Sequence, residues 1–100
     1  MTKKMFPPIH PGEILHDEFM QPLGITAYKL SKEIKVPQIA ISQILRGKRG
    51  ISADMALRLG QYFGVSAESW VTLQAHYELD YAREQKKNQN LNIKPLTRAA

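Results

Sequence analysis

Gln38 and Gln43 carry amides in which an N–H donor and a carbonyl acceptor lie side by side. That pairing matches the edge an adenine shows in the major groove of DNA. Ile39 stands between them, and an isoleucine exposed there suits a thymine methyl. Arg46, Lys48 and Arg49 follow, set around Gly47 and Gly50. Such cations hold phosphate oxygens without reading sequence. One reading of this stretch is simply a glycine-rich loop; the sharper one has its side chains and backbone N–H groups gripping phosphates. Thr26, Lys29 and Ser42 are further candidates for phosphate contact, by hydroxyl or ammonium.

To act together these side chains need helices that hold them on one face. Leu30 and Ile34 are four apart, and Ile41, Ile44 and Leu45 mark one side of a second segment, both at helical spacing. The two segments, Thr26–Ile34 and Pro37–Arg46, are separated only by Lys35 and Val36. So short a connection forbids an antiparallel pair and predicts a steep crossing, as in a helix-turn-helix. Ser31 is small where the helices come closest. At about 100° per residue, a face carrying Ile41 and Ile44 leaves Pro37, Gln38, Ile39, Ser42, Gln43 and Arg46 toward solvent. Ile39 lies about 200° around from Ile41 and is excluded from the core face.

Charge supports the same surface. The formal net charge is +5, and residues 25–49 hold six Lys and Arg against Glu33 alone. The rest of the chain is therefore formally neutral, an asymmetry expected of a nucleic-acid contact surface. A solvated lysine face would explain the three lysines, but explains Arg46, Lys48 and Arg49 less easily. One hundred residues allow one small domain. The absence of cysteine rules out disulfides and thiolate metal sites and fits a reducing cytoplasm. No apolar run approaches the roughly 20 residues of a membrane span, and MTKKMFPPIH lacks the apolar core of a signal peptide. A cytoplasmic location is expected. His10, His16 and His76 have no metal-ligand spacing. Ser31, Ser42, Ser52, Ser66 and Ser69 have no paired base, and no phosphate-cradling GxxxxGK[ST] is present. No enzyme activity, metal or cofactor is expected.

Residues 1–9, with Pro7 and Pro8, read as a loose arm. A first helix starts at His10-Pro11-Gly12-Glu13, buries Ile14, Leu15, Phe19 and Met20, and closes at Pro22 and Gly24. Thr26, Ser52 and Ser66 are cap residues for the second, fourth and fifth helices. The fourth carries Met55, Ala56, Leu59, Tyr62 and Phe63 as its core stripe and ends at Gly64. The fifth is predicted to run to about Arg83 with two apolar rows, Trp70, Leu73, Tyr77, Tyr81 and Val71, Ala75, Leu79, Ala82. A helix on a monomer needs only one stripe, so the second row is the predicted homodimer interface. Residues 50–84 carry five acidic residues against Arg58 and Arg83, which should keep this half off DNA. Residues 10–84 thus form the domain, and 85–100, polar and interrupted by Pro95, a disordered tail.

Five stretches in order, HPGEIL (10–15), PLGIT (22–26), IS.IL.GKR (41–49), ISADMALRLGQYFG (51–64) and SAESWVTLQAHYEL (66–79), carry a family likeness. The chain resembles the lambda-repressor-like (XRE) helix-turn-helix domains and, over about residues 10–82, a HigA-type antitoxin. The resemblance implies a compact all-α fold of five helices that binds operator DNA, its loop at 47–50 gripping phosphates. It further implies autorepression of an operon and neutralisation of a HigB-type toxin, a ribosome-dependent mRNA-cleaving ribonuclease. The alternative is a repressor of the same fold with no toxin partner. Lys35 departs from the family, which usually has glycine in the turn. A left-handed residue there carries a Cβ cost of about 1–2 kcal/mol, so a slightly different turn geometry is expected.

Overall fold

A computed structural model describes residues 8–87 and 91–97 and shows five helices, with no strand among those residues. The first, α1 (11–23), has Pro11 at its first position behind a capping His10, where the missing proline N–H is no loss. It departs from a regular α-helix. A turn at Pro11–Ile14 passes into a π-helical stretch, Leu15–Met20, and then a last turn, Gln21–Leu23. The apolar residues account for this: Ile14-Leu15 and Phe19-Met20 recur at five residues, the step of a π hydrogen bond. The Gln21 N–H accordingly reaches the His16 carbonyl. Leu15 and Met20 are both buried as a result, whereas a 3.6-residue period would set them about 140° apart.

The remaining helices are α2 (Ala27–Ile34), α3 (Gln38–Leu45), α4 (Ala53–Phe63) and α5 (Ala67–Lys86). Thr26, Ser52 and Ser66 cap α2, α4 and α5 as predicted, each hydroxyl oxygen accepting the N–H three residues on at 3.1 Å. Helix α5 extends three residues beyond the predicted Arg83. No helix among the described residues is long and apolar enough to cross a membrane. Of the predicted arm only Pro8 and Ile9 are described; residues 1–7, and 88–90 and 98–100 of the predicted tail, lie outside the described residues.

Every helix contributes to one core: Leu15 from α1, Leu30 from α2, Ile41 and Ile44 from α3, Leu59 from α4 and Trp70 from α5 are fully buried. Phe19 packs its ring against Phe63 at 5.2 Å and Trp70 at 5.1 Å. Ser31 is buried, its Oγ donating to the Tyr28 carbonyl at 2.7 Å. A small residue that satisfies itself within α2 leaves room for α3 to cross closely.

Helices α1, α3 and α4 are followed by left-handed glycines, Gly24, Gly47 and Gly64. Helix α2 ends instead on Lys35, at φ 61° and ψ 51°. The turn therefore keeps the geometry a glycine would give it, against expectation, and the lysine bears the steric cost. Arg58 of α4 holds the turn there. Its Nη1 donates to the Ile34 carbonyl at 2.7 Å and the Lys35 carbonyl at 3.2 Å, while Nε bonds Asp54 at 2.8 Å. A cation on the last carbonyls of a helix is favourable in both charge and hydrogen bonding. Lys35→Gly should raise stability by about 0.5–1 kcal/mol, the relieved strain less the added freedom of the unfolded chain. Arg58→Met should lower it by about 1–2 kcal/mol. Urea unfolding checks both; a Lys35→Gly variant that loses stability would mean that the turn holds no strain beyond the entropy a glycine adds to the unfolded chain.

Candidate nucleic-acid interface

One flank of α3 is buried through Ala40, Ile41 and Ile44, and the other carries exposed Pro37, Gln38, Ile39 and Arg46. Ile39 is 57% exposed beside two other exposed residues, as its phase on the helix requires. Ser42 and Gln43 are only half-buried rather than open to solvent. The Gln43 Oε1 accepts from Arg49 Nε at 2.9 Å. This joins a candidate base reader to a candidate phosphate ligand. An amide oxygen has two lone pairs, so the contact orients Gln43 without using up its acceptor.

Arg49 can reach Gln43 because α3 ends in a tight reversal. Gly47, at φ 73°, gives its N–H to the Ile44 carbonyl at 3.0 Å, and Lys48 gives its N–H to the Gln43 carbonyl at 2.8 Å. These are the two bonds of a Schellman motif. They correct, at Gly47 and Lys48, the expectation that the loop's backbone N–H groups face phosphates: there those groups close α3. The side chains of Arg46, Lys48 and Arg49 are all exposed. Thr26 and Lys29 are exposed at the start of α2, the Thr26 oxygen accepting the Lys29 N–H.

Two neighbouring residues escaped the sequence reading. His10, only 8% exposed, accepts the Gly12 N–H on Nδ1 at 2.9 Å and meets the Tyr77 ring edge-on at 4.8 Å. A Cβ placed on Gly12 would lie 2.0 Å from the Ile44 carbonyl oxygen, so α1 begins directly against the end of α3. The clue in the sequence was the order His-Pro-Gly-Glu, which puts histidine at the cap position.

Burial pushes the His10 imidazole below the usual histidine range, against the opposing pull of Glu13 and the Arg49 backbone. A lowered folded pKa means that folding favours the neutral ring. Its contribution is complete above the unfolded value near 6.5 and is lost as pH falls through the lower folded value. Stability should therefore drop as pH falls below about 6.5, and His10→Asn, which keeps a capping acceptor, should flatten that part of the profile. Urea unfolding across this range checks it; an equally steep fall in the variant would assign the effect to other groups.

Helix α5 presents two faces. Trp70 is buried and Leu73 and Tyr77 half-buried, but Tyr81, assigned to the same row, is exposed beyond the core and stacks on Tyr77 at 5.9 Å. The second row is open: Val71 is 45% and Leu79 50% exposed, with Ala75 and Ala82 exposed as well. Val71, Ala75 and Leu79 line a shallow groove of about 230 Å³ with Thr72 and His76. From the inner side Gln74 accepts the Ile51 N–H on Oε1 at 2.8 Å and donates from Nε2 to Glu78. No group of three or more His, Cys, Asp and Glu among the described residues is arranged to hold a metal.

Residues 18–70 match a family model described as helix-turn-helix. Virulence-associated protein I of Dichelobacter nodosus is 45% identical over 91 residues, which is 91% of this chain and 84% of that protein. The Pseudomonas aeruginosa antitoxin HigA, solved with the higBA promoter, superposes with a TM-score of 0.85 at 46% identity, over 90% of this chain and 99% of that one. Antitoxin GraA in complex with its operator gives 0.86 at 35% identity, over 98% of this chain and 100% of that one. With five helices in this arrangement and these identities, the chain belongs to the helix-turn-helix family and stands among its HigA antitoxins.

Proposed function

We propose that the chain binds a specific double-stranded operator as a homodimer, represses its own operon and neutralises a HigB-type mRNA-cleaving toxin. The exposed Gln38-Ile39 edge of α3, set in a stretch (25–49) that holds six Lys and Arg against one Glu, carries the DNA half of this reading. Helix α3 lies in the major groove, with Gln38, Ile39 and Gln43 toward base edges. Thr26, Lys29, Ser42, Arg46, Lys48 and Arg49 hold phosphates on either side, and Val71, Ala75, Leu79 and Ala82 pair two copies. Residues 10–84 supply all of these groups. The protein acts in the cytoplasm, by binding and without catalysis. Two solved family members bound to their own promoter or operator support the reading; the toxin half rests on the family.

The test uses DNA from the chain's own upstream region beside a random duplex. Gln38→Ala and Gln43→Ala should each lose about 1–3 kcal/mol on the upstream DNA, roughly 5- to 150-fold. Gln38→Ala should leave the random duplex nearly unaffected. Gln43→Ala should weaken it slightly, because Arg49 loses its anchor. Equal losses on both duplexes would remove the base-reading role. Co-purification of a small basic protein encoded by the adjacent reading frame tests the toxin; its absence would leave a repressor alone.

A further inference from the structure

We propose that His10 is a positioning residue for the basic turn Gly47–Arg49, setting where Lys48 and Arg49 meet DNA while touching no DNA itself. The proposal rests on the reading of that turn as a phosphate grip. Four contacts form a closed circuit. The His10 Nδ1 is fixed by the Gly12 N–H. Gly12 bears on the Ile44 carbonyl, which leaves no room even for a methyl. That same carbonyl accepts the Gly47 N–H at 3.0 Å. Gly47 in turn faces the imidazole, so that a Cβ there would stand 3.8 Å from the ring's Cγ and Cδ2.

Tyr77 closes the circuit from outside, edge-on to the ring. With Nδ1 accepting from Gly12, the ring proton sits on Nε2. The ring thus meets the turn at Gly47, and the Arg49 backbone acts on the same imidazole. Since the Arg49 side chain also holds Gln43, displacing the turn disturbs phosphate contact first and base contact second. The groups that face His10 are Glu13 and Gly12 from α1, Gly47 and Arg49 from the turn, and Tyr77 from α5.

The full chain is tested as His10→Asn, which keeps an acceptor for Gly12 and removes the ring. Lys48→Ala and Arg49→Ala run beside it. Affinity for a random duplex is measured by anisotropy across a salt series, and folding by circular dichroism and urea. His10→Asn should remain folded, bind roughly 5- to 50-fold more weakly at low salt, and lower the salt slope by about one to two units. A merely structural histidine would lower the unfolding midpoint but leave the slope of the folded protein unchanged, and that result overturns the proposal. If Lys48→Ala and Arg49→Ala leave the slope unchanged, the phosphate reading of the turn fails instead. Should His10→Asn not fold, Tyr77→Ala replaces it, removing the support behind the ring while sparing the cap, with the same two outcomes.

Discussion

Gly12→Ala should cost about 3 kcal/mol or more of folding stability, since its Cβ would make the shortest contact of any described glycine. The added Cβ would lie 2.0 Å from the Ile44 oxygen and 2.8 Å from its carbon. Both atoms are backbone, so no rotamer change relieves the clash. Either α1 must lift from α3 by more than an ångström or the last turn of α3 must unwind, and both loosen the Gly47 reversal. Against a total of about 5–15 kcal/mol, the loss leaves a chain near its stability threshold. Urea unfolding measures it. Gly24→Ala is the control: it has no neighbour within 4 Å and a φ of +65°, so it should lose only about 1–2 kcal/mol. A Gly12 variant no worse than the Gly24 one would mean that α1 and α3 approach less closely than described.

Val71→Glu combined with Leu79→Lys should give a folded monomer whose operator binding is at least a hundredfold weaker. One α3 reads only a few base pairs, too few to find one site among roughly 10⁶ or more competitors. A two-fold dimer doubles the site and sets the paired helices about 34–36 Å apart along the groove. Val71 and Leu79 are the two large side chains of the open row and about half exposed, so charging them removes little from the core. Trp70 and Leu73 stay in place to hold α5. Sedimentation and circular dichroism on one sample decide the outcome. A folded variant that still sediments as a dimer would move the interface to α1 or the arm.

Much of this architecture is local and could be read from sequence. Thr26, Ser52, Ser66, Pro11 and Gly64 act within their own turns, so their roles follow from type and position. The crossing of α2 and α3 follows from the two-residue gap at Lys35 and Val36. What escaped depends on partners far along the chain. Arg58 meets Ile34 across 24 residues, and Gln74 meets Ile51 across 23. No periodicity reports such pairs. The order His-Pro-Gly-Glu puts His10 at a cap position, yet its burial depends on Gly47 and Tyr77, which no local pattern reports. The reversal after α3 was seen as glycine-rich, but which carbonyls its N–H groups answer is decided by left-handed geometry at Gly47. The π stretch leaves a spacing of five between apolar pairs, which an ordinary helical stripe does not distinguish.

Helix α5 holds the inner contacts of Gln74 and Tyr77 on one side and the open row of Val71 and Leu79 on the other. Its 20 residues span about 30 Å. If the open row pairs two copies as proposed, a 10° tilt of this helix at one end would swing the other by about 5 Å, more than the roughly 3.4 Å rise of a base pair. The spacing tolerated between two half-sites is in this way a measure of how stiffly one helix is seated. Operators with one base pair inserted at the centre would gauge that stiffness directly.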